Sequence, residues 1–167
     1  AVWLFWWMRG NLNEGRRLSE LVLAQQLSDE SRVLMHAVHA AMVFAQGDLE
    51  AARGWHVGAE LATRAGDRVG LGHCVAGVGL VALGEGDLDG AGDAFAETIE
   101  LCEEVGRARG WLWTLGHVWL ATVMLLRGAT AEARPLLERA VAAARERQDP
   151  LAHYIALFTS AQVELAD

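Results

Sequence analysis

The chain has 167 residues, enough for one domain with a sizeable buried core; 53% of them are hydrophobic, a little above the globular norm, and 22% charged, a little below it. Its net charge of −8 argues against direct nucleic-acid binding by this segment, because neutralising phosphates needs a basic surface. Two cysteines, Cys74 and Cys102, are too few for a disulfide framework, so a reduced cytoplasmic setting is expected.

In chain order, the opening run AVWLFWWM has no basic stretch before it and no small-residue cleavage site after it. It therefore reads as part of a helix and not as a signal peptide. Both ends are expected to be boundaries within a longer protein. Four later segments align without gaps: GNLNEGRRLSELV, GDLEAARGWHVGA, GDLDGAGDAFAET and GATAEARPLLERA. Their leading glycines are Gly10, Gly47, Gly86 and Gly128, spaced 37, 39 and 42 residues apart. A small residue follows five later (Gly15, Ala52, Ala91, Ala133). Leu18, Trp55, Ala94 and Leu136 come eight later, and Val22, Ala59, Thr98 and Ala140 twelve later. Those offsets share one helical face. Glycine followed by Asn or Asp is a helix stop and then an N-cap, so each glycine marks a turn between two helices.

The segments before the glycines at 33–47, 69–84 and 110–126 hold no Asp, Glu or Arg, while the segments after them hold most of the charge. Uncharged leading helices thus alternate with amphipathic trailing ones. The expected architecture is all-α, an α-solenoid of antiparallel helical hairpins in a single domain spanning 1–167. Its units are 1–27, 32–65, 69–105 and 110–147, followed by a final helix over 151–165. In such an array each hairpin buries its face on the next.

The core G-D/N-L-x-x-A resembles the turn of the tetratricopeptide repeat, in which a small residue lets the two helices approach. Ala40, Gly79 and Ala121, seven before a glycine, match that family's small residue in the first helix. Trp3 stands there in the first unit, the family's helix-ending proline is absent, and the period exceeds the usual ~34 residues. The string WLFWWMRGNLNEGRRLSELVLA is also similar to the first hairpin of the repeat region in large ATP-binding transcriptional regulators of the LuxR type. That resemblance implies a superhelical sensing arm in a bacterial regulator. A stand-alone tetratricopeptide adaptor holding a protein or peptide is the alternative, but such adaptors line their groove with Lys, Arg and Asn. Without a lysine, the chain cannot complete a phosphate-binding loop.

Chemistry-bearing constellations are weak, and no enzyme, cofactor, catalytic residue or metal site is expected. His36 and His39 sit three apart with no third ligand nearby, and His36 and His117 share one repeat position, which favours a structural role. Cys74 and its neighbour His73 point about 100° apart on a helix. Cys102 lies among carboxylates that would raise its pKa. Asp93, Glu97, Glu100 and Glu104 form an acidic stripe that reads as a solvated outer face. The run at 110–126 approaches membrane-span length but keeps the repeat register, so no membrane span is expected.

By the tetratricopeptide resemblance, positions three and six before each glycine point to the inner surface: Trp7, Phe44, Leu83 and Leu125, and Leu4, Ala41, Leu80 and Thr122. Leu34 with Ala37, His73 with Ala76, and Leu115 with Val118 lie earlier on the same face. A surface this apolar is either buried by a tight superhelix or covered by an apolar ligand, a hydrophobic peptide or a second copy. The candidate groove comprises Trp7, Phe44, His73, Leu80, Leu83, Thr122 and Leu125, with Trp111 at its rim.

Overall fold

A computed structural model describes residues 2–166, with side chains from Trp6 onward. The repeat positions of Trp3 and Leu4 therefore lie outside the described side chains. The described residues form α1 (Val2–Arg9), α2 (Leu12–Leu23), α3 (Asp29–Ala45), α4 (Leu49–Ala52), α5 (Gly54–Ala65), α6 (Arg68–Glu85), α7 (Leu88–Glu104), α8 (Trp111–Leu126), α9 (Thr130–Glu146) and α10 (Pro150–Ala166). Among them there is no strand.

The four anchoring glycines end helices for a backbone reason. Gly10, Gly47, Gly86 and Gly128 adopt φ of 72°, 81°, 82° and 76°, the left-handed region that a side chain disfavours. The residue after the glycine then donates its N–H back into the finished helix. Asn11, Asp48 and Ala129 reach the carbonyls of Trp6, Val43 and Met124 at 3.0, 3.0 and 2.8 Å. The start of the following helix is less uniform. Asp48 and Asp87 accept from the N–H groups of Ala51 and Gly90 at 3.0 and 2.9 Å, a good N-cap. Asn11 makes no such side-chain bond, and Ala129 has no side-chain acceptor to offer.

One trailing helix is interrupted. The segment 49–65 splits at Arg53, where Arg53 N–H donates to Glu50 O and His56 N–H to Arg53 O, three-residue bonds that tighten the turn. Gly54 follows at the break, and glycine weakens a helix interior.

The chain divides into two compact units, Ala1–Glu85 and Gly86–Asp167. In the first, α3 packs against α2, α5 and α6, and α5 packs against α6. Small residues set these approaches. A Cβ at Gly15 would lie 2.7 Å from the Met42 sulfur, and one at Gly58 equally close to the Cys74 sulfur. Trp55 lies across Gly77, is almost fully buried, and meets Phe44 at a ring-centroid distance of 5.6 Å. In the second unit α8 packs against α7, α9 and α10, and α9 against α10. Its core joins Val118 and Ala121 of α8 to Ala133, Leu137 and Ala140 of α9 and to Ala156 and Val163 of α10. Arg147 ties the end of α9 to the start of α8, donating to Thr114 Oγ1 at 2.9 Å, to Ala143 O at 3.2 Å and to Arg109 O.

The repeat face behaves largely as its spacing requires. Gly15, Ala52, Ala91 and Ala133 are buried, as are Ala40, Gly79 and Ala121. Val22 is the exception on the trailing face and is exposed. No helix of the described residues is long and apolar enough to cross a membrane, and the 110–126 run is α8, whose middle is core.

Candidate functional site

The candidate groove residues fall in both units. In the first, Trp7 is on α1, Phe44 on α3, and His73, Leu80 and Leu83 on α6; α3 packs against both other helices. Phe44, His73, Leu80 and Leu83 are half-buried, while Trp7 and Leu34 are exposed. Phe44 stands on the indole of Trp55, tilted by 56°, so its position is fixed by a buried aromatic beneath it. The remaining inner positions, Ala41 and Ala76, are buried, and Ala37 is half-buried.

The second unit treats the equivalent positions differently. Leu115 and Val118 are buried, and Leu125 packs on the core cluster of α8, α9 and α10. Thr122 donates its hydroxyl to Val118 O at 2.9 Å, which occupies the polar handle within its own helix. Trp111 is half-buried at the start of α8. Accessible apolar surface at these positions is therefore concentrated on α1, α3 and α6.

Burial disfavours the charged forms of Cys74, Cys102, His36, His39 and His117. Burial pushes the Cys74 thiol up to about 12, with Asp67 adding to the effect. Burial also raises Cys102, helped by Glu103 and opposed by Arg107. Desolvation, and not the neighbouring carboxylates, is thus the larger cause at both thiols. His36 is lowered by burial, then by Arg32 and His39. His39 is lowered by burial against the opposing pull of Glu20, and its Nδ1 lies 3.0 Å from Ser19 Oγ. Ser19 donates its own hydrogen to Arg16 O at 2.7 Å, so the ring supplies the proton in the second bond. His117 is buried against Trp113, ring centroids 3.8 Å apart, and its Nδ1 donates to Trp113 O at 2.9 Å. Burial lowers its pKa, partly offset by that carbonyl. Among the described residues no group of three His, Cys, Asp or Glu side chains could hold a metal ion. Asp93, Glu97, Glu100 and Glu104 all point to solvent from α7.

Two features lay outside the sequence reading. A cleft of about 780 Å³ runs along α9 and α10, with Leu137, Val141, Ala142 and Val163 among its lining residues. Two ion pairs lie along it, Arg109 with Glu146 at 2.8 Å and Arg134 with Glu164. Beside it, α10 exposes Tyr154, Leu157, Phe158 and Leu165. The spacing of those four residues is a helical stripe, a signal present in the sequence. Compared with known proteins, the chain matches no family model and no curated protein.

Proposed function

We propose that the chain is a non-catalytic helical-repeat scaffold, an α-solenoid of antiparallel hairpins of the tetratricopeptide type. In this reading it serves as the ligand- or protein-sensing arm of a bacterial transcriptional regulator. The observation that carries the repeat reading is the recurrence of one local structure. A left-handed glycine is followed five residues later by a buried small residue at Gly15, Ala52, Ala91 and Ala133. The regulator assignment draws on the resemblance of residues 3–24 to the first hairpin of the LuxR-type repeat region, and it expects a nucleotide-binding segment before this chain and a helix-turn-helix after it.

The binding surface in this reading is the face of α1, α3 and α6 that carries Trp7, Phe44, Leu80 and Leu83, with His73 as its polar group. Lowered or raised pKa values leave the buried thiols protonated and His36, His39 and His117 neutral near pH 7, which suits packing and not nucleophilic attack. The test uses 8-anilinonaphthalene-1-sulfonate as an apolar probe, titrated into chain labelled at its leucine methyls. Saturable shifts are expected at Leu80 and Leu83, and Phe44→Asp should abolish them with helical content unchanged. If Phe44→Asp unfolds the chain, these residues are core and the groove is refuted.

A further inference from the structure

Arg53 stands at the interruption between α4 and α5, and its side chain is held from two sides. Its Nη2 donates to Glu85 Oε1 at 2.9 Å, on the last residue of α6, and its Nε lies 3.8 Å from the Glu50 carboxylate on α4. The same place in the repeat, six residues after the anchoring glycine, carries Arg16 and Arg134, paired with Asp48 and Glu164. Those two arginines stand inside α2 and α9, which run unbroken through that place. At Arg53 the pair falls on a break instead.

The backbone there is held less firmly than in a continuous helix. Arg53 N–H donates to Glu50 O at 3.2 Å and Arg53 O accepts from His56 N–H at 2.9 Å, both three-residue bonds of poorer geometry than four-residue ones. Gly54, the next residue, has no side chain to anchor the chain. Trp55 follows at once, lying across Gly77 of α6 and beneath Phe44 of α3. A close-packed interior transmits displacement, so a shift of the backbone at 53–54 passes through the indole to Phe44. The other end of the pair bears on the same surface. Glu85 is two residues beyond Leu83, and α4 packs against that end of α6, where a Cβ at Gly84 would meet Leu49 at 3.2 Å. From the solvent side, the pair restrains the backbone that leads to Phe44 and the backbone that follows Leu83.

We infer that, with the α1, α3 and α6 face read as a binding surface, Arg53 and Glu85 are a positioning pair for its Phe44, Leu80 and Leu83. They act through Trp55 and through the end of α6. An exposed ion pair contributes little to stability. Its loss is therefore read in affinity and geometry and not in unfolding.

The test is a double-mutant cycle with 8-anilinonaphthalene-1-sulfonate as the probe, followed at leucine methyl and phenylalanine ring signals. Arg53→Ala and Glu85→Ala should each weaken binding about threefold or more, and the double variant should bind no more weakly than either single one. Glu85→Gln keeps an acceptor for Arg53 and should recover most of the loss. The sign at Glu85 separates positioning from charge, because the probe is an anion and removing a carboxylate would by itself favour it. Urea midpoints should stay at the parent's. Unchanged affinity in both single variants, losses that multiply in the double variant, or a midpoint that falls in step with affinity overturns the inference. If the parent shows no saturable shift at Leu80 and Leu83, the groove is refuted, and the pair is judged by the ring-current shift of Trp55 on the Phe44 ring protons. That shift should move in both alanine variants and return in Glu85→Gln; a shift that stays in place overturns the positioning role.

Discussion

Gly77 offers the sharpest test of the packing. It lies in the interior of α6, where glycine costs the helix roughly 1 kcal/mol relative to alanine, so Gly77→Ala should stabilise if helix propensity decides the outcome. The geometry says otherwise. A Cβ built at Gly77 falls 2.0 Å from Cδ2 of Trp55, with two further indole atoms at 2.2 and 2.3 Å. To restore ordinary contact the ring has to retreat by about 1.5 Å. It has no room to do so, because Trp55 is only 4% exposed and carries Phe44 on its face. Overpacking of this kind costs about 1–3 kcal/mol, with larger values where a rigid ring is displaced. Against the propensity gain, the expected net loss is about 2 kcal/mol, or a fall in Tm of roughly 4–8 °C. Gly92→Ala is the matched control on α7, since its Cβ would meet Arg127 and Val123 at an ordinary 3.6 and 3.7 Å. There the same substitution should raise stability by about 0.5–1 kcal/mol. Thermal melts of the two variants should move in opposite directions. A Gly77→Ala chain that melts at or above the parent would refute the close approach of α5 to α6.

Ala91→Leu should overpack the fully buried start of α7 and lower the urea midpoint by an amount equivalent to about 1–3 kcal/mol; a midpoint equal to the parent's would show that the small residue is not required. For His117 the pKa is lowered on folding, so the unfolded chain binds the proton more readily. Its contribution is present above the unfolded value near 6.5 and is lost as pH falls from there toward the folded value, by up to about 1.4 kcal/mol per pH unit. Urea midpoints of parent and His117→Gln between pH 7.5 and 5.5 should therefore converge as the pH drops, and parallel curves would count against the desolvated ring.

The turns were legible because their chemistry is local. A glycine that must adopt positive φ and an aspartate that must accept an amide two or three residues on leave their identities in the sequence, as at Gly47–Asp48 and Gly86–Asp87. Where the letters differ, at Asn11 and Ala129, the turn forms anyway, because the backbone bond to Trp6 O or Met124 O does not need the side chain. The interruption at Arg53 was harder to foresee, since Arg53 keeps a helical φ of −61° and only its ψ, at −5°, opens away from the α-helical value as the hydrogen bonds tighten to a three-residue spacing.

Burial was not legible in the same way, and the reason is physical. Periodicity states which residues share a helix face, but exposure depends on what packs against that face. Phe44 and Leu125 hold the same repeat position; Leu125 joins the core of α8, α9 and α10, while Phe44 keeps part of its ring in solvent above Trp55. The α10 stripe makes the point most directly. Thr114, His117, Val118 and Ala121 are buried on α8, and the residues in register with them on α10, Tyr154, Leu157, Phe158 and Ala161, are exposed. The exposed set is the larger and more apolar of the two, so composition alone would have ranked it deeper in the core. Its exposure follows from the neighbouring surface, because α9 lies over the α8 stripe and none of the described helices lies over the one on α10.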